Sequence, residues 1–369
     1  MPSGPTQRLA IKARKFGRRW LGAPSWLERD SASGLVLSVD PPIIHTTLVW
    51  PESADYLWAF GSRVGRKPAA IVIYFSWHFD GGFASKRAVE RVAAYRRAFP
   101  EHRVHFLANA QDEVDSLERF GEKGLLLNHN LSVSERFFFP IDDAEVAFDA
   151  VYNARLDVSK RVDLAFGIDR VAYVTRHYPA GDQTEAVRLQ TLIEARSPAH
   201  RILNRVENGI VQGLDAEEVN RALNSAAVGL CLSPVEGVML SSMEYMLAGL
   251  PVVSTPSTGG RDFFFDPDFC MIAPPTETAI REAVDTLRAR RIPKRHVRDR
   301  TLAKLAPQRR GFQAFLDDVL ADLGYPPRFG GAWPWSGRRN FSTWATVKDH
   351  FAAARQEPTA FPSGHGPRS

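Results

Sequence analysis

The 369-residue sequence predicts an α/β protein in two halves, in which parallel strands alternate with helices. Apolar segments of strand length and segments with helical periodicity follow each other along most of the chain. Residues 69–77 form a continuous apolar run, which is typical of a strand buried on both faces of a parallel sheet. The alternation stops at a polar, acidic stretch around residues 140–147 and then restarts, so we expect the halves to meet near residue 145.

The first half, residues 34–145, contains two helix patterns. One covers residues 85–99, where apolar residues recur on one side and Pro100 ends the helix. The other covers residues 112–120 and ends at Gly121, because glycine readily adopts the left-handed conformation that often closes a helix. The predicted strands are 34–39, 43–50, 69–77, 102–108 and 124–128.

The second half, residues 146–320, repeats this alternation, with a helical or mixed segment after Lys160. Its elements again change from strand to helix every few residues, which predicts a second parallel sheet. The predicted strands are 147–154, 170–175, 200–206, 228–233 and 251–255, and the predicted helices are 184–195, 216–224, 241–248 and 276–290.

The C-terminal tail, residues 321–369, is rich in proline, glycine and tryptophan. It offers one more helix over residues 342–354, with Ser342 or Thr343 as its cap. We expect this helix to pack back on the first half.

Basic residues are concentrated in two places. The N-terminal segment 1–33 is basic, since residues 1–30 hold seven basic and two acidic residues, with apolar side chains at helical spacing. This pattern fits an amphipathic helix on an anionic membrane surface and equally a solvated tail. Residues 288–310 hold ten basic residues and one acidic residue, so the rest of the chain is mildly acidic although the formal net charge is +5. A nucleic-acid-binding protein would more often spread its basic residues over one face, so we expect no nucleic-acid partner.

The composition excludes several classes of protein. Hydrophobic residues make up 44% and charged residues 24%, which excludes a disordered or collagen-like chain. No run approaches the ~20 apolar residues of a membrane-spanning helix, and no secretory signal is visible. Cys231 and Cys270 stand in apolar contexts and are interpreted as buried thiols. We therefore expect a cytoplasmic protein.

The segment 233–262 carries the most informative motif. A predicted strand ends at Ser233, and a loop with Glu236 leads into a helix that carries Glu244. Ligands of open parallel sheets bind beyond the carboxyl ends of the strands, where this loop lies. Eight residues are about 2.2 helical turns, so both carboxylates can face one cleft and accept hydrogen bonds from two separated hydroxyl groups.

The backbone of the same loop suits an anion. The N–H groups at the start of a helix point outward and attract negative charge. Here those residues follow Glu236 directly, and they are Gly237, Val238, Met239 and Leu240.

A second motif follows the first strand of this half. Arg155 comes directly after the strand, and Lys160 follows five residues later. A forked guanidinium and a point-charge ammonium on one loop suit a diphosphate group. A surface ion pair with Asp157 or Asp163 is the alternative interpretation.

In this order the two motifs resemble the GT-B glycosyltransferases, and most closely their large, mostly retaining family with the E-x7-E motif (family 4, group 1). The resemblance is close over roughly residues 150–285 and looser over 69–140. The matching positions are Ala154-Arg155-Leu156 with Lys160, Glu236 and Glu244, Gly249-Leu250-Pro251-Val252-Val253, and Gly259-Gly260.

The resemblance implies two Rossmann-like halves whose parallel sheets face each other across a cleft. Residues 34–145 would form the acceptor side, reduced in length, and residues 146–320 the side that binds the nucleotide sugar. The implied function is transfer of a hexose from a UDP- or GDP-linked donor to a glycan or lipid-linked acceptor. Independently of the resemblance, the basic segment 1–30 would allow a cytoplasmic protein to attach peripherally to the inner face of the membrane.

The resemblance also implies roles for single residues. Arg155 and Lys160 would stabilise the departing nucleoside diphosphate, so that neither a metal nor another cofactor is needed. Glu236 would bind hydroxyl groups of the donor sugar, and Glu244 would bind the ribose. His78 resembles the acceptor-side histidine near the anomeric carbon, although a buried, hydrogen-bonded histidine explains it nearly as well.

The sequence departs from the family pattern at Val238 and Met239, where the family usually has phenylalanine and glycine. This departure concerns the identity of the donor sugar. A non-catalytic scaffold protein that binds nucleotide sugars is the alternative function, and a phosphate-dependent phosphorylase is a third. Asp266-Pro267-Asp268 is interpreted as a turn rather than as a metal site.

Overall fold

The computed structural model describes residues 31–48, 56–78, 83–176, 183–331, 333–334 and 340–343. The first half contains three helices and five strands before residue 130. The helices are α1 (Tyr56–Val64), α2 (Phe83–Ala98) and α3 (Gln111–Arg119), and the strands are β1 (Ser31–Val39), β2 (Pro42–Leu48), β3 (Ala69–Phe75), β4 (His102–Ala108) and β5 (Gly124–Leu126).

The second half contains eight strands and five helices among the described residues. Its strands are β6 (Phe148–Asn153), β7 (Val171–Val174), β8 (His200–Ile202), β9 (Val206–Glu207), β10 (Ile210–Val211), β11 (Ala226–Cys231), β12 (Val252–Ser254) and β13 (Cys270–Ile272). Its helices are α4 (Gln183–Glu194), α5 (Ala216–Asn224), α6 (Leu240–Leu247), α7 (Glu277–Arg290) and α8 (Lys294–Asp322). Strand β14 (Asn340–Thr343), in the C-terminal tail, joins the sheet of the first half.

Twelve of the described strands form two six-stranded sheets, and β9 and β10 form a separate antiparallel pair. The first sheet has the order β14-β1-β2-β3-β4-β5, and the second has the order β13-β12-β11-β6-β7-β8. Strands β2 to β5 and all strands of the second sheet pair in parallel, as the alternating pattern predicts. All seven residues of β3 are buried, which explains its continuous apolar sequence.

The carboxyl ends of the two sheets face each other. Asn128, just after β5, donates a hydrogen bond from its side chain to the carbonyl oxygen of Gly260, 2.7 Å away. A Cβ atom placed on Gly237 would lie 2.9 Å from the carbonyl of Ser76, just after β3. Loops from both halves therefore meet where ligands of parallel sheets bind.

Helix α8 was not predicted. It spans 29 residues, includes Pro307, and carries most of the second basic run. Most of its buried residues recur three, four or seven positions apart among long basic side chains, so the charges hide an amphipathic pattern. They are Val297, Thr301, Leu305, Phe312, Leu316, Val319 and Leu320.

The predicted cap of the tail helix is wrong. Ser342 and Thr343 belong to β14, and Thr343 pairs with Ser31 of β1 in an antiparallel arrangement. Pairing with an otherwise open sheet edge outweighs the local capping signal. The rest of that helix prediction, residues 344–354, and the basic segment 1–30 lie outside the described residues.

The predicted strand 200–206 is also wrong in part, because it divides into β8 and β9. The side chain of Asn204 causes the break: it accepts a hydrogen bond from the backbone N–H of Thr175 and donates one to the carbonyl of Gln212. Among the described residues, no helix is both long and apolar enough to cross a membrane.

Candidate functional site

The candidate site lies at the carboxyl edge of the second sheet, where β6 and its neighbour β11 end. The structure brings Lys160, Glu236 and Glu244 to this edge, from a loop after β6, a loop after β11 and helix α6. Arg155 stands two residues after β6 and is half-buried. Residues 76 positions apart in sequence are thereby placed in contact.

Lys160 and Glu236 form a buried ion pair. Only 7% of Lys160 and 5% of Glu236 is exposed, and the lysine Nζ donates a hydrogen bond to Oε1 of the glutamate. The 3₁₀ turn Val158–Lys160 places the lysine, and the phenol of Tyr152 donates a hydrogen bond of 2.5 Å to its backbone carbonyl. Neither surface-pair partner suggested by the sequence, Asp157 or Asp163, is the partner of the Lys160 ammonium.

Asp157 instead starts the 3₁₀ turn. Its carboxylate accepts a hydrogen bond of 2.8 Å from the backbone N–H of Ser159. Burial raises the pKa of Asp157, but the hydrogen bonds from Ser159 and the positive charges of Arg155 and Lys160 outweigh this effect and hold the pKa below its ordinary value. Arg155 and Lys160 therefore both lie close enough to Asp157 to favour its charged form.

Glu244 lies on the first turns of α6 against the end of β6. Its Oε2 accepts a hydrogen bond of 2.8 Å from the side-chain amide of Asn153, and the phenol of Tyr245 accepts one of 2.6 Å from the backbone N–H of Asn153. Burial raises the pKa of Glu244 to about 7, although the hydrogen bond from Asn153 acts in the opposite direction. The carboxyl group can therefore change its charge near neutral pH.

The loop before α6 lies against the first half. Its residue Gly237 approaches the backbone of Ser76 in the first half. Within the second half, the backbone N–H of Glu236 donates a hydrogen bond to the carbonyl of Thr258, and the N–H of Gly260 donates one to the carbonyl of Gly237. No side chain caps α6, whose N-cap residue is Met239. The N–H groups of its first turn are therefore oriented to meet an anion. Along this loop Val238 is half-buried, Met239 is buried and Leu240 is 42% exposed.

His78 lies at the junction of the two halves and is 8% exposed. Its Nε2 lies 3.1 Å from Oδ2 of Asp112, and its Nδ1 lies 3.5 Å from Oε1 of Glu113. Burial raises the pKa of Glu113, while hydrogen bonds from His78 and from the backbone of Asn109 lower it. Helix α3 thus places two carboxylates beside the imidazole, Asp112 within hydrogen-bond distance of Nε2 and Glu113 farther from Nδ1, and the role of His78 in catalysis stays a prediction.

Sequence reasoning missed Arg261, which is completely buried. Its guanidinium donates hydrogen bonds to the carbonyls of Ser233 and Thr255, at 2.8 and 2.5 Å, and to the carboxylate of Asp262. It therefore fixes the ends of β11 and β12, from which the Glu236 loop departs. A charged residue directly after the Gly259-Gly260 pair was the available signal.

Asp266 forms a turn, as predicted. It accepts a hydrogen bond from the backbone N–H of Asp268, and its carboxylate binds Arg300 at 2.9 Å and Lys304 at 3.3 Å. Across the part of the chain that the structure describes, no group of three or more His, Cys, Asp or Glu residues is arranged to hold a metal ion.

No protein-family model and no curated protein sequence matches this chain. Solved structures do. Sucrose-phosphate synthase from Thermosynechococcus elongatus is 19% identical, with a TM-score of 0.54 over 76% of this chain and 74% of that one. HepE of Anabaena, solved in complex with UDP and glucose, is 12% identical, with a TM-score of 0.54 over 74% and 78%.

A glycosyltransferase from Rickettsia africae is 13% identical, with a TM-score of 0.53 over 75% of this chain and 76% of that one. At these sequence identities, the similarity to the solved structures shows a shared fold and nothing more. The chain has the α/β GT-B fold, with two halves built on parallel sheets, as the sequence predicts. Membership of the family with the E-x7-E motif stays a prediction.

Proposed function

We propose that this protein is a glycosyltransferase that moves a hexose from a nucleotide-diphosphate sugar to a glycan or lipid-linked acceptor. The observation that carries the proposal is the convergence of Lys160, Glu236 and Glu244, with Arg155 beside them, at the carboxyl edge of the second sheet. The first half covers this edge through Ser76 and its neighbours. The GT-B fold supports the same reaction class.

In the proposed reaction, the bond between the anomeric carbon and the β-phosphate oxygen breaks, and its electron pair stays on that oxygen. The acceptor hydroxyl oxygen bonds to the anomeric carbon, and its proton passes to the leaving phosphate. We propose that the acceptor attacks from the face that the phosphate leaves, so that the configuration is retained. Arg155 and Lys160 would stabilise the growing negative charge without a metal ion.

In this scheme, the ion pair of Lys160 and Glu236 is the arrangement of the site before the donor binds. Two buried charges each need a partner, and here each is the partner of the other. A bound donor would offer phosphate oxygens to the lysine and sugar hydroxyls to the glutamate. We therefore propose that donor binding exchanges one pairing for the other.

We assign the ribose of the donor to Glu244. The ionised carboxylate can accept hydrogen bonds from the two ribose hydroxyls, and Asn153 holds one of its oxygens in place. The N–H groups that open α6, from Val238 to Leu240, would face the phosphates. Uracil and guanine nucleotides are the two donors to compare.

The first experiment is a donor screen with UDP- and GDP-linked hexoses, measuring slow hydrolysis and transfer. Arg155→Ala and Glu244→Ala should each lower turnover at least about 100-fold, because each removes a group that contacts the donor. Arg295→Ala and Glu217→Ala are matched controls, since both side chains are highly exposed elsewhere.

The outcomes of this screen separate the alternatives. Donor binding without hydrolysis or transfer would indicate a nucleotide-sugar scaffold instead of an enzyme. Turnover that requires inorganic phosphate would indicate a phosphorylase. Full activity in either site variant would contradict the assignment of the site.

We also propose that the protein works in the cytoplasm at the inner membrane face, held by the basic segment 1–30. The surplus charge of that segment would attract anionic lipid. The full chain should float with vesicles that contain anionic lipid, and a chain without residues 1–30 should not. Equal flotation of the two forms would contradict this location.

A further inference from the structure

A second concave region lies on the first half, at the amino ends of its strands. Its volume is about 880 Å³, and it lies between β4, the start of β5, the end of α2 and the second half of α8. His105 on β4 stands four residues before Asn109, which is about 13 Å along a strand. The concavity is therefore separate from the candidate site at the carboxyl ends, and it has the volume of a ligand pocket.

The groove exists because β5 is short. Strand β5 pairs only with Phe106, Leu107 and Ala108, so the beginning of β4 has a strand, β3, on one side only. At that edge Arg96 donates a hydrogen bond of 2.6 Å to the carbonyl of Val104. An added peptide strand would need this carbonyl, so the edge does not suit strand addition.

The charges that line the groove balance. Three basic and three acidic side chains face it, and their formal sum is zero. Arg96 and Glu122 already form a two-bond pair, with distances of 2.6 and 3.0 Å. A strongly anionic or cationic ligand therefore gains little here. The six are Arg96, Arg103, Lys123, Glu122, Asp318 and Asp322.

His105 and Phe315 also line the groove, and their rings meet edge to face at 5.3 Å. Burial lowers the pKa of His105 to about 4; Arg96 and Arg103 act in the same direction, and Asp322 and Glu122 in the opposite one. The imidazole is therefore neutral near pH 7. Its Nε2 is buried and makes no hydrogen bond to any of the described residues.

We propose that this groove binds a neutral oligosaccharide. Each sugar hydroxyl both donates and accepts, which matches a lining of guanidinium, ammonium and carboxylate groups of zero net charge. Phe315 and Leu125 supply apolar surface for the C–H faces of the sugar rings. The choice of a glycan over other polyols rests on the proposed function, in which the groove would retain a growing glycan while its end is extended in the cleft.

The test uses calorimetry to measure the equilibrium binding of maltohexaose, cellohexaose and isomaltohexaose to the full chain without donor. Asp318→Ala/Asp322→Ala should weaken the affinity for the bound hexasaccharide about tenfold, because both carboxylates accept hydrogen bonds from it. These side chains are exposed on α8, so the fold should be unaffected. Glu282→Ala/Asp285→Ala on α7 is the matched control and should bind like the parent chain.

The result that overturns the proposal is absence of binding at 10 mM (about the weakest affinity worth assigning) for all three glycans, or equal binding by the double variant. Stronger, salt-dependent binding of a heparin-derived hexasaccharide would also overturn it, since it would indicate an anion site. A chain that binds the hexasaccharide but transfers no sugar would contradict the proposed function and leave the groove assigned.

Discussion

Lys160 and Glu236 are each almost completely enclosed by protein, and neither carries a charge that water could solvate. Such a pair contributes little net stability, but removing one partner leaves an uncompensated charge. The pair therefore stabilises the site only while both members are present. Comparing the stability of variants that lose one or both members therefore distinguishes a structural effect of substitution from an effect on catalysis.

Lys160→Met should lower the free energy of unfolding by about 3 kcal/mol, because it leaves the Glu236 carboxylate buried without its cation. Lys160→Met/Glu236→Gln should recover most of that loss, since no buried charge remains. Both variants should be inactive in transfer. Urea unfolding of the parent chain, the single variant and the double variant measures these changes in stability. A double variant no more stable than Lys160→Met would contradict the prediction.

Glu244 should make stability depend on pH in a defined window. Its pKa is raised from 4.5 to about 7 in the folded protein. Between these values the folded state keeps a proton that the unfolded state releases, so stability falls as the pH rises from about 4.5 to about 7 and then levels off.

The measurement is the difference in unfolding free energy between the parent chain and Glu244→Gln across pH 4 to 8 (roughly the range that spans both pKa values). The difference should change within the window and stay constant above it. Glu217→Gln, on an exposed side chain, controls for the loss of a carboxylate. A flat difference curve would show that Glu244 titrates normally.

At the level of elements, two arginines of the basic run 288–310 are half-buried and connect helix α8 to other segments of the fold. Arg298 donates hydrogen bonds to the carbonyls of Phe138 and Leu247, at 2.6 Å each. Arg309 donates to the carbonyls of Leu131 and Val133. Helix α8 thereby connects the second half to the segment that follows β5.

Arg309→Ala should destabilise the protein by about 2 kcal/mol, because two carbonyls lose a charged donor and Glu135 loses its ion-pair partner. Arg310→Ala is the neighbouring control, since Arg310 is exposed on the same helix. Thermal unfolding measures both. Equal unfolding midpoints for the two variants would show that the fixed hydrogen bonds of Arg309 contribute no more than a surface charge.

The elements differ in how well their sequences predict them. Strands β3 and β4 are predicted by apolar residues within a few positions, and β4 has the predicted bounds. Helix α8 is not predicted by nearby residues, because the hydrogen bonds of Arg298 and Arg309 reach segments about 160 and 180 residues away. The sequence likewise does not predict that Lys160 pairs with Glu236, because the two residues are 76 positions apart. Their spacing and the family resemblance predict only that each belongs to the site.

At the level of the whole molecule, the two sheets meet through backbone that has no room for side chains. A Cβ atom on Gly260 would lie 2.5 Å from Cβ of Asn109, and one on Gly237 would lie 2.9 Å from the carbonyl of Ser76. Each contact joins one half to the other. The distance between the halves at the candidate site is therefore set by glycines, whose positions the motifs predict but whose partners in the first half they do not.

Gly237→Ala tests this contact, because the added methyl group would push the Glu236 loop away from Ser76 by several tenths of an ångström. Gly237 has no positive φ, so alanine is compatible with the backbone, and the strain falls on the contact between the halves. In the proposed reaction, donor and acceptor meet between the two halves at short range, so turnover at saturating donor should fall about tenfold or more. The unfolding midpoint should change little, because the nearest neighbours of the added methyl group are backbone atoms of Ser76 and Trp77 rather than side chains of the buried apolar core. Gly213→Ala is the matched control, since its Cβ would meet no described atom within 4 Å. Unchanged turnover in Gly237→Ala would show that the reaction does not require this close approach.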